Sequence, residues 1–168
     1  MNVRLVQRLK ALFLDWLLIS AYLVLLAVCA TAVYSVLFDG VPEMTVLQAQ
    51  LVAALTSVVP VIIIFSVMES STERASWGKR RVGLEVKYNG SPIRGSIIRN
   101  VLKFLPWQLG HMSTIHGIYT GFDTPFAIIC LTLSVFLTAG YVLMVSIRRD
   151  GRHLPDLLAG SRVTRIES

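Results

Sequence analysis

Charge is scarce in this sequence. Asp, Glu, Lys and Arg make up 15% of its 168 residues, against about 25% in ordinary soluble domains. No Lys or Arg occurs from Phe38 to Met68 or from Phe104 to Ile147. Cysteine is nearly absent as well. Cys29 and Cys130 fall in apolar stretches, without metal-ligand spacing or a disulfide framework, and read as small packing residues. A phosphate-binding loop is missing, because Gly78-Lys79 lacks the upstream glycine and the following Ser or Thr. No nucleophile–base pair appears. The expectation is therefore no enzyme activity, no catalytic residue and no cofactor.

What is present is apolar. Hydrophobic residues make up 54% and the mean hydropathy is +0.65, more apolar surface than one small core can hide from water. Three runs carry it: Ala11 to Phe38, interrupted only by Asp15, then Val46 to Met68 and Thr124 to Ile147, both without charge. Each is long enough for the roughly 20 residues that cross a bilayer. A secretory signal peptide is a competing reading of the first run, since Arg4, Arg8 and Lys10 precede it and Ala30-Thr31-Ala32 resembles a cleavage site. The run is too long for that, and an acid breaks it. It reads as a retained helix.

The cations are grouped. Three lie before the first run (Arg4, Arg8, Lys10), eight between Arg74 and Lys103, and five between Arg148 and Arg165, which accounts for all 16. Basic residues near spanning helices stay in the cytoplasm. All three blocks on one side require an even number of crossings, so a fourth is expected at about 97–118. There Arg99 and Lys103 snorkel at one end, and the centre holds Pro106, Gln108, Gly110 and His111. A re-entrant segment at the same place is the competing reading. The outer loops then carry Asp39, Glu43 and Asp123 but no cation.

The expected architecture is an all-α membrane protein. It is one domain, 1–168, a four-helix transmembrane bundle with spans at about 11–36, 46–68, 97–118 and 124–147, the third short and kinked. Val82, Leu84, Val86 and Tyr88 alternate with polar residues, and Asn89-Gly90 is a turn signal. This predicts a small cytoplasmic β-hairpin over about 80–94, although Pro92 limits its return strand. The tail, 148–168, is expected to be ordered: a short helix over His153 to Leu158, a Gly160 cap, an extended piece from Arg162 to Ile166, all packed under the bundle near the hairpin.

Five motifs stand in order along the chain: Arg8 and Asp15; Gly78-Lys79-Arg80-Arg81-Val82-Gly83-Leu84-Glu85-Val86; Arg99-Asn100; Lys103-Phe104-Leu105-Pro106-Trp107; and Asp156-Leu157-Leu158-Ala159-Gly160-Ser161-Arg162-Val163. Together they resemble the RDD family of prokaryotic membrane proteins, named for one arginine and two aspartates. Ser161 stands where the family usually has Thr, and Pro155 where other members often have His or Gly. The resemblance implies a bacterial cytoplasmic (inner) membrane protein, and the cation blocks place both termini inside. Most of the family is uncharacterised; some members are similar in reported activity to sodium/proton antiporters, and others are linked to solute transport.

Two roles are open for Asp15. An acid inside a span usually faces a partner, a cavity or an ion path, which suits cation or proton coupling. Alternatively Asp15 pairs with Arg8, two helical turns earlier, with Asn100 as a bridge. Asp156 either anchors the tail and caps its helix, or meets Arg8 and gates the cytoplasmic end with Asp15. Gln108 and His111 sit three apart on the third span and are candidates for relaying protons or holding a cation. Gly78, Lys79, Arg99 and Asn100 form the cytoplasmic motif. His111, His116 and Asp123 make only a weak metal pattern, and no metal site is expected. Partners expected are the bilayer, anionic lipid headgroups at the basic loop, a second copy of the chain, and a cation or proton; nucleic acid is not. Two functions compete: a small cation/proton or solute transporter, and a non-transporting interaction or assembly protein whose Arg and Asp set is structural.

Overall fold

The computed structural model describes residues 5–38 and 40–166. Arg4 of the first basic block, Asp39 of the first outer loop and the last two tail residues lie outside the described residues. Helix α1 covers Leu5–Leu37, about 50 Å at 1.5 Å per residue. Helices α2 (Val46–Ala53) and α3 (Val59–Ser70) join through a π-helical turn, Ala54–Val58, into one rod. Then follow α4 (Trp77–Arg81), β1 (Leu84–Tyr88), α5 (Pro92–Thr120), α6 (Pro125–Ile147), α7 (Leu154–Leu158) and β2 (Ser161–Arg165). Among the described residues three helices are long and apolar enough to cross a membrane: Leu5–Leu37, Val46–Ser70 and Pro125–Ile147. Large apolar side chains such as Leu25, Val28, Ile129 and Phe136 stand exposed along them, as suits a surround of lipid.

Local chemistry sets the ends. Thr45 and Gln48 form a capping box at the start of α2, satisfying N–H groups that the first turn leaves open. Pro92 and Pro125 open α5 and α6, where a missing N–H costs nothing. Gly121, at φ +99°, ends α5.

Helix α5 packs on α3 along one side and on α6 along the other. It is 29 residues long, so it is not the short helix expected. It begins at its Ser91 cap, several residues before the expected boundary at 97, because Ser91 and Pro92 make a good helix start. Its composition keeps it out of the apolar set of three, since it carries Arg94, Arg99, Lys103, Gln108, His111 and His116. A core of Val58, Val61, Phe65 and Phe104, with Ile19, Tyr22, Ile62 and Trp107 against it, ties α1, the Val46–Ser70 rod and α5 together.

Both interior prolines are compensated from a neighbouring helix. Pro60 cannot donate to the Thr56 carbonyl, and the Tyr22 hydroxyl of α1 donates to that oxygen instead. Pro106 cannot donate to the Leu102 carbonyl, and Tyr141 of α6 does so. Ser134 of α6 also donates to the Pro106 carbonyl, at 2.7 Å. Each interaction satisfies a backbone oxygen that lipid could not.

The expected β-hairpin is not formed. Strand β1 pairs antiparallel with β2 from the tail, Val86 opposite Val163 and Tyr88 opposite Ser161. Asn89 and Gly90 lead into α5 rather than into a return strand, because the helix start at Ser91–Pro92 follows at once. The tail supplies the missing strand. Buried Ser161 and Val163 alternate with more exposed neighbours and match buried Leu84 and Val86. The tail itself folds as expected, with His153 capping α7 and Gly160, at φ +59°, turning the chain into β2. Leu84, Val86 and Val163 close a second small core against Ala11 of α1.

Candidate functional site: an ionic network at one end of the helices

Five elements meet at the end of the helices from which β1, β2 and α7 hang. Asp15 comes from α1, Glu69 from the last turn of α3, Lys79 from α4, Arg99 from α5 and Asp156 from α7. Their relative exposures are 3%, 0%, 7%, 3% and 1%. Buried charges persist only when paired and hydrogen-bonded, and these are paired in alternation.

Asp15 caps α4. One carboxylate oxygen accepts from the Gly78 N–H at 2.8 Å, the other from the Ser76 hydroxyl at 2.7 Å. Lys79 Nζ lies 3.9 Å from the same carboxylate and donates to Glu69 at 2.7 Å and to Ser76 at 3.1 Å. Gly78 permits this approach, because a Cβ there would stand 2.2 Å from the Ala11 carbonyl oxygen.

Glu69 is the hub. Besides Lys79 it accepts from Arg99 Nη1 at 2.6 and 2.8 Å, from Asn100 Nδ2 at 3.1 Å and from the Tyr88 hydroxyl at 3.3 Å. Burial pushes the Tyr88 phenol up, and the Glu69 carboxylate adds to the effect. Arg99 Nε then donates to Asp156 at 2.7 Å, so one guanidinium links the end of α3 to the tail. Lys103 Nζ stands over the Phe65 and Phe104 rings, 4.7 and 4.9 Å from their centroids. Asn100 Oδ1, also buried, has no partner among the described residues.

Asp156 is held three ways. It takes Arg99, it takes the Ser161 hydroxyl at 3.2 Å, and it caps α7 reciprocally with His153. His153 Nδ1 lies 3.0 Å from the carboxylate and 3.2 Å from the Asp156 N–H. A proton on that nitrogen selects the carboxylate, and its absence the amide. Burial works to raise the Asp156 carboxyl, but the Arg99 guanidinium and His153 more than offset it and hold it well below the usual range.

Several expected pairings are replaced. Arg8 and Asp15 do not meet: Arg8 Nη1 donates to the Gly151 carbonyl, while Asp15 turns to α4. Each has a nearer partner than the other, two turns away. Asn100 bridges to Glu69 and to the Ser96 carbonyl, not to Arg8. Asp156 accepts its hydrogen bond from Arg99 and not from Arg8, which feels it only through Coulombic attraction, while Arg148 and Arg152 share Asp150. Half-buried Asp150 is held below the usual carboxylate range by hydrogen bonds from Arg148 and Arg152.

Gln108 and His111 lie further along α5, outside the network. His111 stacks edge-on with Trp107 at 5.2 Å and has Nδ1 3.5 Å from the Ser57 hydroxyl. His116 packs against Phe126 at 4.7 Å. Among the described residues no three His, Cys, Asp or Glu side chains cluster as metal ligands do.

Glu69 was not singled out from the sequence, and Tyr88 was read there only as a strand residue. Glu69 carried a readable signal. Val58, Val61 and Phe65 recur at helical spacing and are buried, and one further step of four places Glu69 on the same buried face.

Long apolar helices capped by a buried ionic network define an integral membrane protein. The sequence pattern of the RDD family matches residues 3–160, and the chain belongs to that family. No curated protein and no solved structure matches it.

Proposed function

We propose that the chain is a non-transporting interaction or assembly protein of the bacterial cytoplasmic membrane, and that its Arg and Asp set is a clasp. The observation that carries this reading is the engagement of Asp15. Both carboxylate oxygens accept hydrogen bonds from the α4 turn, and the residue is buried. A coupling acid must exchange its ligand with water, and Asp15 holds the Gly78 N–H and the Ser76 hydroxyl instead. The clasp fixes α4, β1, α7 and β2 as one cap. By the distribution of cations in the sequence that cap faces the cytoplasm, and the outward Arg162 and the other surface cations suit an acidic partner surface or anionic headgroups.

The test has two arms. Purified protein in liposomes under a sodium gradient is expected to move no protons. Affinity capture from mild detergent is expected to retain one consistent partner, lost on Arg162→Glu. Sodium-driven proton movement that disappears in a folded Asp15→Asn variant overturns the reading.

One observation favours the second reading, cation/proton exchange. Asn100 Oδ1 is a buried acceptor without a donor beside Glu69, the kind of oxygen that a hydrated ion engages. It ranks second because Lys79 and Arg99 already bring two positive charges to Glu69, which opposes a further cation.

A further inference from the structure

The ionic network leaves Arg8 out. Its Nη1 donates to the Gly151 carbonyl, and a Cβ at Gly151, which sits at φ +62°, would stand 3.2 Å from Nη2. That neutral oxygen takes one donor of a half-buried guanidinium, and the rest of the fork has no acceptor among the described residues. Strand β2 runs beside the same turns of α1. Val163 shares a core with Ala11, and Arg165 Nη2 donates to Gln7 Oε1 at 3.0 Å. This brings Arg162 close enough to repel the Arg8 guanidinium, as Arg99 also does. Arg162 is exposed and stands opposite Lys87 of β1, and like charges directly opposite disfavour each other. Among the described residues neither Arg8 nor Arg162 bonds to a carboxylate. Asp156 and Asp150 attract Arg8 but are committed, the first to Arg99 and the second to Arg148 and Arg152.

We infer that Arg8 and Arg162 together bind a phosphate group, brought by an anionic lipid headgroup or as free phosphate. Two guanidiniums that repel each other, with no carboxylate bound to either, lack a counter-anion. A phosphate carries enough acceptor oxygens to take both forks. Depth favours it over the carboxylates of an acidic protein. Arg8 lies three residues before the apolar run that begins at Ala11, about 4.5 Å along the helix. That is within the layer of roughly 5–7 Å that headgroups occupy on each side of the hydrocarbon, where phosphate is the prevailing anion. The inference rests on the cap facing the cytoplasm as proposed, and it names the ligand of that surface.

Titration of the purified protein tests it, with inorganic phosphate in one arm and short-chain phosphatidylglycerol in the other. Phosphatidylcholine is the zwitterionic control. Saturable binding is expected in at least one arm: inorganic phosphate alone marks a free anion, phosphatidylglycerol alone a headgroup, and both a site that reads only the phosphate. Arg162→Gln, at an exposed position, is expected to keep the unfolding midpoint and to weaken binding about tenfold, the loss of one charge-assisted hydrogen bond. Arg8→Lys keeps the charge but loses the fork, and is expected to weaken binding as well. Arg74→Gln changes an exposed cation whose carbonyl holds the opposite edge of β1, and is expected to leave binding unchanged. Binding in neither arm overturns the inference. So does equal binding of phosphatidylcholine, no effect of Arg162→Gln, or an equal effect of Arg74→Gln. Capture of a protein partner that Arg162→Glu abolishes, without phosphate binding, removes this inference and leaves the interaction reading standing. Sodium-driven proton movement together with Arg162-dependent phosphate binding removes the interaction reading alone.

Discussion

The Tyr141 hydroxyl donates to the Leu102 carbonyl at 3.0 Å, and that carbonyl is the one Pro106 deprives of its helical donor. A tyrosine on one helix thus repairs a break that proline makes in the next. The Tyr22 hydroxyl does the same for Thr56 and Pro60. Tyr141→Phe is expected to destabilise the chain by about 1 kcal/mol in reversible detergent unfolding. Added to Pro106→Ala, which restores the backbone donor, Tyr141→Phe should cost almost nothing. Equal costs in the two backgrounds count against the repair.

Gly78 is where α4 touches the backbone of α1. Gly78→Ala forces a methyl group into the Ala11 carbonyl, at a cost of about 1–3 kcal/mol for overpacking. Hydrogen exchange over 76–81 is the sensitive readout, and it should quicken there before the helices loosen.

Glu69 carries more of the network than Asp15. Glu69→Gln leaves Lys79 and Arg99 buried without their shared carboxylate, a loss of about 3–5 kcal/mol. Asp15→Asn keeps an acceptor oxygen for Ser76 or Gly78 and should cost clearly less. Unfolding midpoints in the opposite order refute the hub assignment.

Docking of the tail should resist acid. The Asp156 carboxyl is depressed in the folded state. Its stabilisation is therefore complete above the unfolded value of about 3.9 and is lost only as pH falls through the lower folded value. A fluorescence pair between α5 and β2 should report no Asp156-dependent release from pH 7 down to about 4, with release below that. Asp156→Asn should be weakened already at pH 7.

The sequence made the apolar helices legible because length and hydropathy alone decide them. The tail was legible too, since His153, Gly160 and the alternation after it are local signals. The partner of β1 was not. Asn89-Gly90 is a strong local turn signal, but Ser91-Pro92 starts a helix, and the strand that pairs lies more than 70 residues away. Arg8 and Asp15 share a helix and could be related by spacing, whereas Ser76, Gly78 and Gly151 reach them only through the fold. Glu69 was within reach of helical periodicity, because its face is set by Val61 and Phe65.

The pairing of β1 with β2 also imposes an order of events. Asp156, Ser161 and Val163 follow every long helix in the chain, so they leave the ribosome after those helices have been made. Until then Arg99 lacks one of its two carboxylates and Leu84 and Val86 lack their cover. Insertion thus proceeds with these charges still hydrated, and the cap locks only when the segment that follows the helices arrives, which makes emergence of α7 and β2 a condition for a finished membrane domain.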